Sequence, residues 1–383
     1  TALQAGPRGC PVCAPCPVCP PPPAPPTPTV PAPTAPTARL VPASWMDLPG
    51  WQAERHAEIR PALLRSCEKL QARPAWRAVC TKASVLANDD AGWRAFLEQD
   101  FVPHQLLNAD GSATGLVTGY YEPLLMASRT RGGPYRWPIE SPPADLITVD
   151  LAGLYPQLAG MRLRGRLDGR RLLPYWSRAE RSRYPLPPAQ VLFWATDPLE
   201  VFFLQIQGSG RIVLPDGQRA RVSYADQNGH PYRSIGRWLV DRGEITLDQA
   251  SMQGIQAWAR AHPERLDELI NANPSEVFFR ELPNGDSPDG PPGALGVPLT
   301  AGRSIAVDPQ SVPLGAPVWL ATVLPGRSEA LERLVMAQDT GGAIRGGVRA
   351  DYFFGSGPEA GLSAGRMRAQ GRMWVLLPRA SAP

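Results

Sequence analysis

Three aspartates in the last fifth of the chain stand where apolar runs meet turns. They are Asp308 in Ala306-Val307-Asp308-Pro309, Asp339 in Gln338-Asp339-Thr340-Gly341-Gly342, and Asp351 in Arg349-Ala350-Asp351-Tyr352-Phe353-Phe354. A carboxylate at a strand end can face a groove while its neighbours stay in the core. Apolar walls disfavour the charged form, so Asp351, followed by three aromatic residues, should hold its proton more tightly than an ordinary aspartate. Such an acid can protonate a leaving oxygen. A plainer reading stands beside each, because Asp is a common turn former: Asp308 as a turn residue before Pro309, Asp351 as a strand cap. The four histidines, His56, His104, His230 and His262, share no ligand-like spacing, so a histidine-bound metal has no local signature and no cofactor is expected.

The elements that would position these carboxylates are mostly strands. Runs rich in β-branched and aromatic residues, broken by Gly and Pro, predict strands over Val117–Ser128, Val191–Thr196, Val201–Gln207, Arg211–Leu214 and Arg219–Tyr224. Further strands are predicted over Glu276–Leu282, Ser304–Val307, Pro317–Val323, Leu334–Gln338, Asp351–Phe354 and Arg372–Leu377. Gly208-Ser209-Gly210 and Pro215-Asp216-Gly217 read as hairpin turns. On a strand, Gln205 and Gln207 would share one face, with Ser209 at its turn. That row suits a ligand rich in hydroxyl and amide groups, or is simply a solvated face. Tyr121, Tyr224 and Asn228 could add stacking and hydrogen bonds. Helical spacing predicts helices over 51–73, with Pro61 as a break, and over Thr246–His262, with Thr246 and Gln249 as a capping box. Asp89 or Asp90 could cap a short helix through Trp93 and Leu97. The pattern reads as a mainly β fold of barrel type with peripheral helices.

The chain has 383 residues, enough for two domains, with 43% apolar residues and a net charge of +4. Its basic residues are scattered, so nucleic-acid binding is not implied. No apolar run approaches the ~20 residues of a membrane span. Of 46 prolines, 15 lie in the first 45 residues. Proline lacks the backbone donor that ladders need, so 1–45 should be an extended spacer. Cys10, Cys13, Cys16 and Cys19 repeat every third residue inside it. Zinc sites usually set their two CxxC pairs well apart, so this run reads as a low-complexity thiol tail rather than a metal site. Cys67 and Cys80 lie in globular sequence, where a bridge would suit an oxidising compartment.

Several longer stretches carry a resemblance. Gly119-Tyr120-Tyr121-Glu122-Pro123, Phe203-Leu204-Gln205-Ile206-Gln207-Gly208-Ser209-Gly210, Tyr224-Ala225-Asp226-Gln227-Asn228-Gly229-His230-Pro231-Tyr232, Asn273-Pro274-Ser275-Glu276-Val277-Phe278-Phe279 and Gly293-Ala294-Leu295-Gly296-Val297-Pro298-Leu299-Thr300 occur in that order. With the three-aspartate segment from Ala306 to Gly361, they resemble the membrane-bound lytic murein transglycosylase A (MltA) family over roughly 100–378. The resemblance implies a double-psi β-barrel built from 46–145 plus 284–383, a smaller β-barrel inserted at 146–283, and a groove between them. It implies cleavage of the β-1,4 bond between N-acetylmuramic acid and N-acetylglucosamine in peptidoglycan. By position it makes Asp351 the catalytic acid, with Asp339 and Asp308 in support, and gives Glu122 a part in positioning substrate.

An ordinary glycosidase needs two carboxylates. A lytic transglycosylase needs one, because the muramic acid 6-hydroxyl is the nucleophile and is already attached. The rival readings are an inverting hydrolase using Asp339 and Asp351 as a pair, an aspartic protease built on Asp339-Thr340-Gly341, and a wall-binding module without activity. The resemblance further implies glycan strands as partner, a place beside the cell-wall synthesis or division complex, and a periplasmic location at the outer membrane of a Gram-negative bacterium. Family members are commonly lipid-anchored there; Pro7-Arg8-Gly9-Cys10 departs from the usual pattern by lacking a leucine three places before the cysteine.

Overall fold

The computed structural model describes residues 38–379, apart from 159, 160, 162, 185, 284, 286, 327 and 328. Cys10, Cys13, Cys16, Cys19 and most of the expected spacer lie outside them. The spacer's last residues do form a ladder: Arg39–Pro42 pairs antiparallel with Phe101–Leu107. Only Pro42 in that strand lacks a donor, and it sits at the strand's end on the sheet edge, where proline is tolerated.

Six strands close into a ring. Arg368–Pro378 pairs with Pro317–Val323, that with Ala330–Asp339, that with Ser304–Val307, then Ala350–Ser356, then Gly115–Glu122, which returns to Arg368–Pro378. Two contacts are parallel: Ser304–Val307 with Ala330–Asp339, and Gly115–Glu122 with Ala350–Ser356. Closure removes the free edges of an open sheet. Val117, Ile305, Val307, Ala337, Ala350 and Tyr352 share the inner face of the ring, while Trp319, Met336 and Trp374 lie on the outer face, Trp319 packing against Trp51.

Two helices cover one side of the barrel. Arg60–Leu70 begins with Pro61 in its first turn, where a missing donor costs nothing, so Pro61 starts the helix rather than breaking it. The preceding residues of the expected 51–73 helix form short 3-10 turns at Trp51–Ala53 and His56–Ile59. A disulfide joins Cys67 to Cys80 on the next helix, Pro74–Val85. Asp89 caps the third helix, Asp90–Asp100, accepting from the Gly92 amide at 2.6 Å.

The chain leaves the barrel at Pro123. Gly115–Glu122 is a barrel strand, whereas Leu124–Ser128 and Trp137–Glu140 belong to a second, six-stranded sheet with Val191–Ala195, Ser209–Val213, Arg219–Gln227 and Val277–Leu282. The expected boundary at 145/146 therefore falls later than the change of sheet. The long run 117–128 hides it, since one apolar stretch serves both sheets in turn.

The expected strand over Val201–Gln207 is a helix, Pro198–Gln207. Asp197 caps it by accepting from the Leu199 amide at 2.7 Å, and Pro198 opens it. Gly208, at φ 77°, closes it in the left-handed conformation glycine alone adopts without strain. Tertiary burial, not intrinsic propensity, explains the aromatic and β-branched residues: Val201 and Leu204 join the second sheet's core, while Phe202 and Phe203 pack with helices Ile235–Asp241, Met252–Ala261 and Leu266–Asn271. Thr246 donates to Gln249 Oε1 at 2.9 Å as the capping box requires, yet the helix itself starts later, capped by Ser251.

Candidate active site

Strand alternation decides where the aspartates face. Along Ala350–Ser356, Ala350 and Tyr352 enter the barrel core, so Asp351 and Phe353 lie on the outer face. Across the parallel contact Asp351 stands opposite Thr118 and Phe353 opposite Tyr120; across the antiparallel one Asp351 stands opposite Ala306, which in turn opposes Asp339. Asp339, Ala306, Asp351 and Thr118 thus form one transverse row. Two strand spacings separate the aspartate backbones, roughly 10 Å. Tyr120, Ala306, Phe353, Leu299 and Ile344 make a small apolar cluster on this outer face. Of the three aromatics after Asp351, only Phe353 shares its face.

Asp351 is half-buried. Thr118 Oγ1 donates to its Oδ1 at 2.6 Å, and Oδ2 accepts no hydrogen bond from the described residues. Burial raises its pKa above the ordinary carboxylate value; the Thr118 hydrogen bond and the charge of Arg349 oppose that rise without cancelling it. Asp339 is held differently. Its Oδ1 accepts from the amides of Ala294 and Thr340, both at 2.9 Å, and its Oδ2 from the Tyr120 hydroxyl at 3.1 Å. Burial pushes its pKa up to about 6; those three hydrogen bonds pull down and the charge of Asp351 pushes up. The adjacent loop is drawn tight at Gly293, where a side-chain carbon would stand 2.5 Å from the Gln338 carbonyl oxygen. Gln338 is buried and ties the strand to the covering helix, donating to Ala62 O and Ser66 Oγ and accepting from Ser304 Oγ.

Asp308 is the turn residue of its plainer reading. It is buried, and its carboxylate accepts from the amides of Gln310 at 3.1 Å and Gly346 at 2.8 Å. It thereby pins the loop that leads from Asp339 to Asp351.

The expected binding residues fall elsewhere. Gln205 and Gln207, two apart on a helix, point to nearly opposite sides rather than along one face. Gln205 accepts from Arg178, and Gln207 accepts from the Tyr121 amide at 3.1 Å. Tyr121 lies on the opposite strand face from Tyr120, against Gly361 and Met252. Glu122 is fully buried beside Arg211 at 2.7 Å and Arg221 at 3.5 Å. Asn228 is buried, and its amide group is committed to Trp176 O, Pro274 O and the amides of His230 and Glu276. Ser209 is not in a hairpin turn: it is buried and opens the strand Ser209–Val213. Tyr224 is half-buried at a bulge, its amide donating to Gly208 O. Among the described residues no cluster of three or more His, Cys, Asp or Glu is placed to hold a metal.

Where barrel and second sheet meet, a cavity of about 380 Å³ is lined by Phe353, Gly355 and Ser356 from the barrel strand, with Arg65, Arg211 and Thr300. It brings the aromatic neighbour of Asp351 to the junction of the two sheets.

The MltA specific insert domain family matches residues 116–280, and the 3D domain family matches 303–377. Membrane-bound lytic murein transglycosylase A of Escherichia coli K12 is 36% identical over 279 residues, covering 71% of this chain and 68% of that protein. The crystal structure of MltA from Neisseria gonorrhoeae, monoclinic form, is 39% identical, with a TM-score of 0.78 over 90% of this chain and 94% of that one. The chain belongs to the membrane-bound lytic murein transglycosylase A family. The structure of E. coli MltA with bound chitohexaose is 30% identical, with a TM-score of 0.65 over 91% of this chain and 93% of that one. The mainly β, multi-sheet fold expected from the resemblance is the fold these solved MltA structures share.

Two residues of this candidate site escaped the sequence reading: Thr118 and Tyr120, which contact Asp351 and Asp339 from a strand more than 200 positions away. Alternation within Gly115–Glu122 was a usable signal, since Thr118 and Tyr120 share a face that Tyr121 does not. A Gly-x-Ser-x-Gly pattern, expected from the sequence reading to be absent, is in fact present. Gly361-Leu362-Ser363-Ala364-Gly365 spells a nucleophile elbow, but it lies inside helix Pro358–Arg366, so Ser363 occupies no strand-to-helix turn.

Proposed function

We propose that this chain is a peptidoglycan lytic transglycosylase in which Asp351 serves as both acid and base. The protonated carboxyl gives its proton to the glycosidic oxygen between N-acetylmuramic acid and N-acetylglucosamine, and the bond from that oxygen to C1 breaks. The resulting carboxylate takes the proton of the muramic acid 6-hydroxyl as that oxygen bonds to C1. No water is consumed, and the product ends in a 1,6-anhydro ring. The raised pKa of Asp351 keeps the proton available. The single observation that carries the reading is the division of labour between the aspartates. Asp339 and Asp308 have their oxygens engaged by fixed donors, whereas Asp351 keeps Oδ2 without a protein partner.

That division also speaks against an inverting pair, since Asp339 would have to release three donors to orient a water. Asp339 and Asp308 act as positioning residues. The barrel and the inserted sheet act as two domains, with the boundary at Pro123 and the return after Leu282. Gln205, Gln207 and Asn228, whose polar groups are committed to protein partners, shape the inserted side of the groove, while Glu122 lines the junction cavity beside Arg211. The protein works in the periplasm at the outer membrane, with a lipid anchor and a wall-synthesis complex as its attachments. No helix among the described residues is long and apolar enough to cross a membrane.

Digestion of purified sacculi with the parent protein and with Asp351→Asn, followed by mass spectrometry, tests the chemistry. The parent should release 1,6-anhydro ends and the variant should release none while unfolding at the same temperature. Reducing ends from the parent, or turnover above a few per cent in the variant, would sink it.

A further inference from the structure

A second concavity, at about 680 Å³ larger than the junction cavity, lies on the helix-covered side of the barrel. Its charged lining is Arg55, Glu58, Arg60, Asp89, Asp90, Arg303 and Arg333. Most of these groups are spoken for. Arg303 pairs with Glu54 and Glu58, and Arg55 also pairs with Glu58. Asp89 and Asp90 accept from the amides of Gly92 and Ala57. Arg60 remains without a carboxylate among the described residues, and Arg333 has none within bonding distance, although the charges of Glu54 and Glu58 act on it. Arg333 donates only to the Tyr352 hydroxyl, at 3.1 Å. Arg60 makes no hydrogen bond or ion pair, and its Nε is buried with no acceptor. A buried cationic donor without a partner is costly, and a carboxylate is the group whose geometry satisfies a guanidinium.

Position identifies the source of that carboxylate. Thr300 and Ala301 line both this cavity and the junction cavity at Phe353. A chain branching from a sugar held at the junction has only to pass over these two residues to reach Arg60. Resting on the proposed function, we infer that the cavity is a subsite for the carboxylate-bearing stem peptide of the glycan strand being cut, gripped by Arg60 and Arg333. Asp89 and Asp90 on the same wall suit the ammonium group of a diamino acid in such a stem.

Two measurements on the whole chain test this. The first is calorimetric titration with the tripeptide L-alanyl-γ-D-glutamyl-meso-diaminopimelate. The parent should bind it and Arg60→Gln should bind it about 10-fold more weakly. The second compares KM on intact sacculi with KM on sacculi stripped of stems by an amidase. Arg60→Gln should raise the first several-fold and leave the second within twofold. Absence of tripeptide binding, equal binding by parent and variant, or an equal loss on both substrates would overturn the subsite. The titration needs no turnover, so a protein that binds tripeptide but yields no 1,6-anhydro ends would refute the proposed chemistry and leave the subsite standing.

Discussion

Replacing Thr118 with valine probes the acid directly. The hydroxyl donates to Asp351 Oδ1 at 2.6 Å, a short bond to a group that is stronger when charged. It therefore stabilises the carboxylate and holds the pKa of Asp351 below where burial alone would place it. A hydrogen bond to a charged group contributes about 1.5–3 kcal/mol. At 1.36 kcal/mol per pKa unit, its loss should raise the pKa by about 1–2 units, nearer 1 because the carboxyl is half-buried. Asp351 must be protonated to act, so activity falls as pH rises through that pKa. In Thr118→Val the falling limb should move to higher pH by about one unit. The plateau should drop up to about 10-fold, since the carboxyl also loses its orientation. Valine keeps the shape of threonine, so the strand contact survives. The assay is the initial rate of 1,6-anhydromuropeptide release from sacculi between pH 4 and 9 at fixed ionic strength. A limb that stays in place, or moves down while the protein remains folded, would refute both the role of Asp351 and the sign of the Thr118 effect.

Other outcomes follow from the same geometry. The pKa of Asp339, about 6, lies above its ordinary 3.8, so the folded state binds that proton more tightly; stability is full below the ordinary value and is lost as pH rises through about 6. Discounted for partial solvent exposure, the loss is about 1–2 kcal/mol; urea unfolding at pH 4 and pH 7 should show it in the parent and not in Asp339→Asn. In Gly293→Ala the new carbon meets the Gln338 carbonyl and lifts the loop whose Ala294 amide holds Asp339. Activity on sacculi should fall about 10-fold for a destabilisation of about 1–3 kcal/mol; unchanged turnover would deny the loop its role. Removing the Cys67–Cys80 bridge as a double serine variant should cost about 3 kcal/mol by loop entropy. Calorimetry should read this as a melting point lower by several degrees, with the anhydro product retained.

How much was legible depended on whether the signal was local. The three aspartates declared themselves by standing where apolar runs meet turns and by falling in the segment that carries the family resemblance. Their separate duties did not, because those depend on donors at Ala294, Thr340 and Gly346 that only the closed barrel delivers. Thr118 and Tyr120 meet the aspartates through a parallel contact between distant strands, which leaves no mark in either segment. The helix Pro198–Gln207 was misjudged by composition, although Asp197-Pro198 before it and Gly208 after it are ordinary start and stop signals. That error carried Gln205 and Gln207 onto a common face they do not share. The bridge between Cys67 and Cys80 was read correctly because two cysteines in globular sequence leave few choices.

The ring closes through Arg368–Pro378, which touches Phe101–Leu107, Gly115–Glu122 and Pro317–Val323 at once. A ribosome adds this segment after everything it must bind, so the loop spanning the whole insert has to wait for it. Until then the row of Asp339, Ala306, Asp351 and Thr118 has no frame to hold it in register. A chain interrupted in synthesis, or clipped before its last strand, would carry every carboxylate needed to cut the wall and still be harmless to the cell that made it.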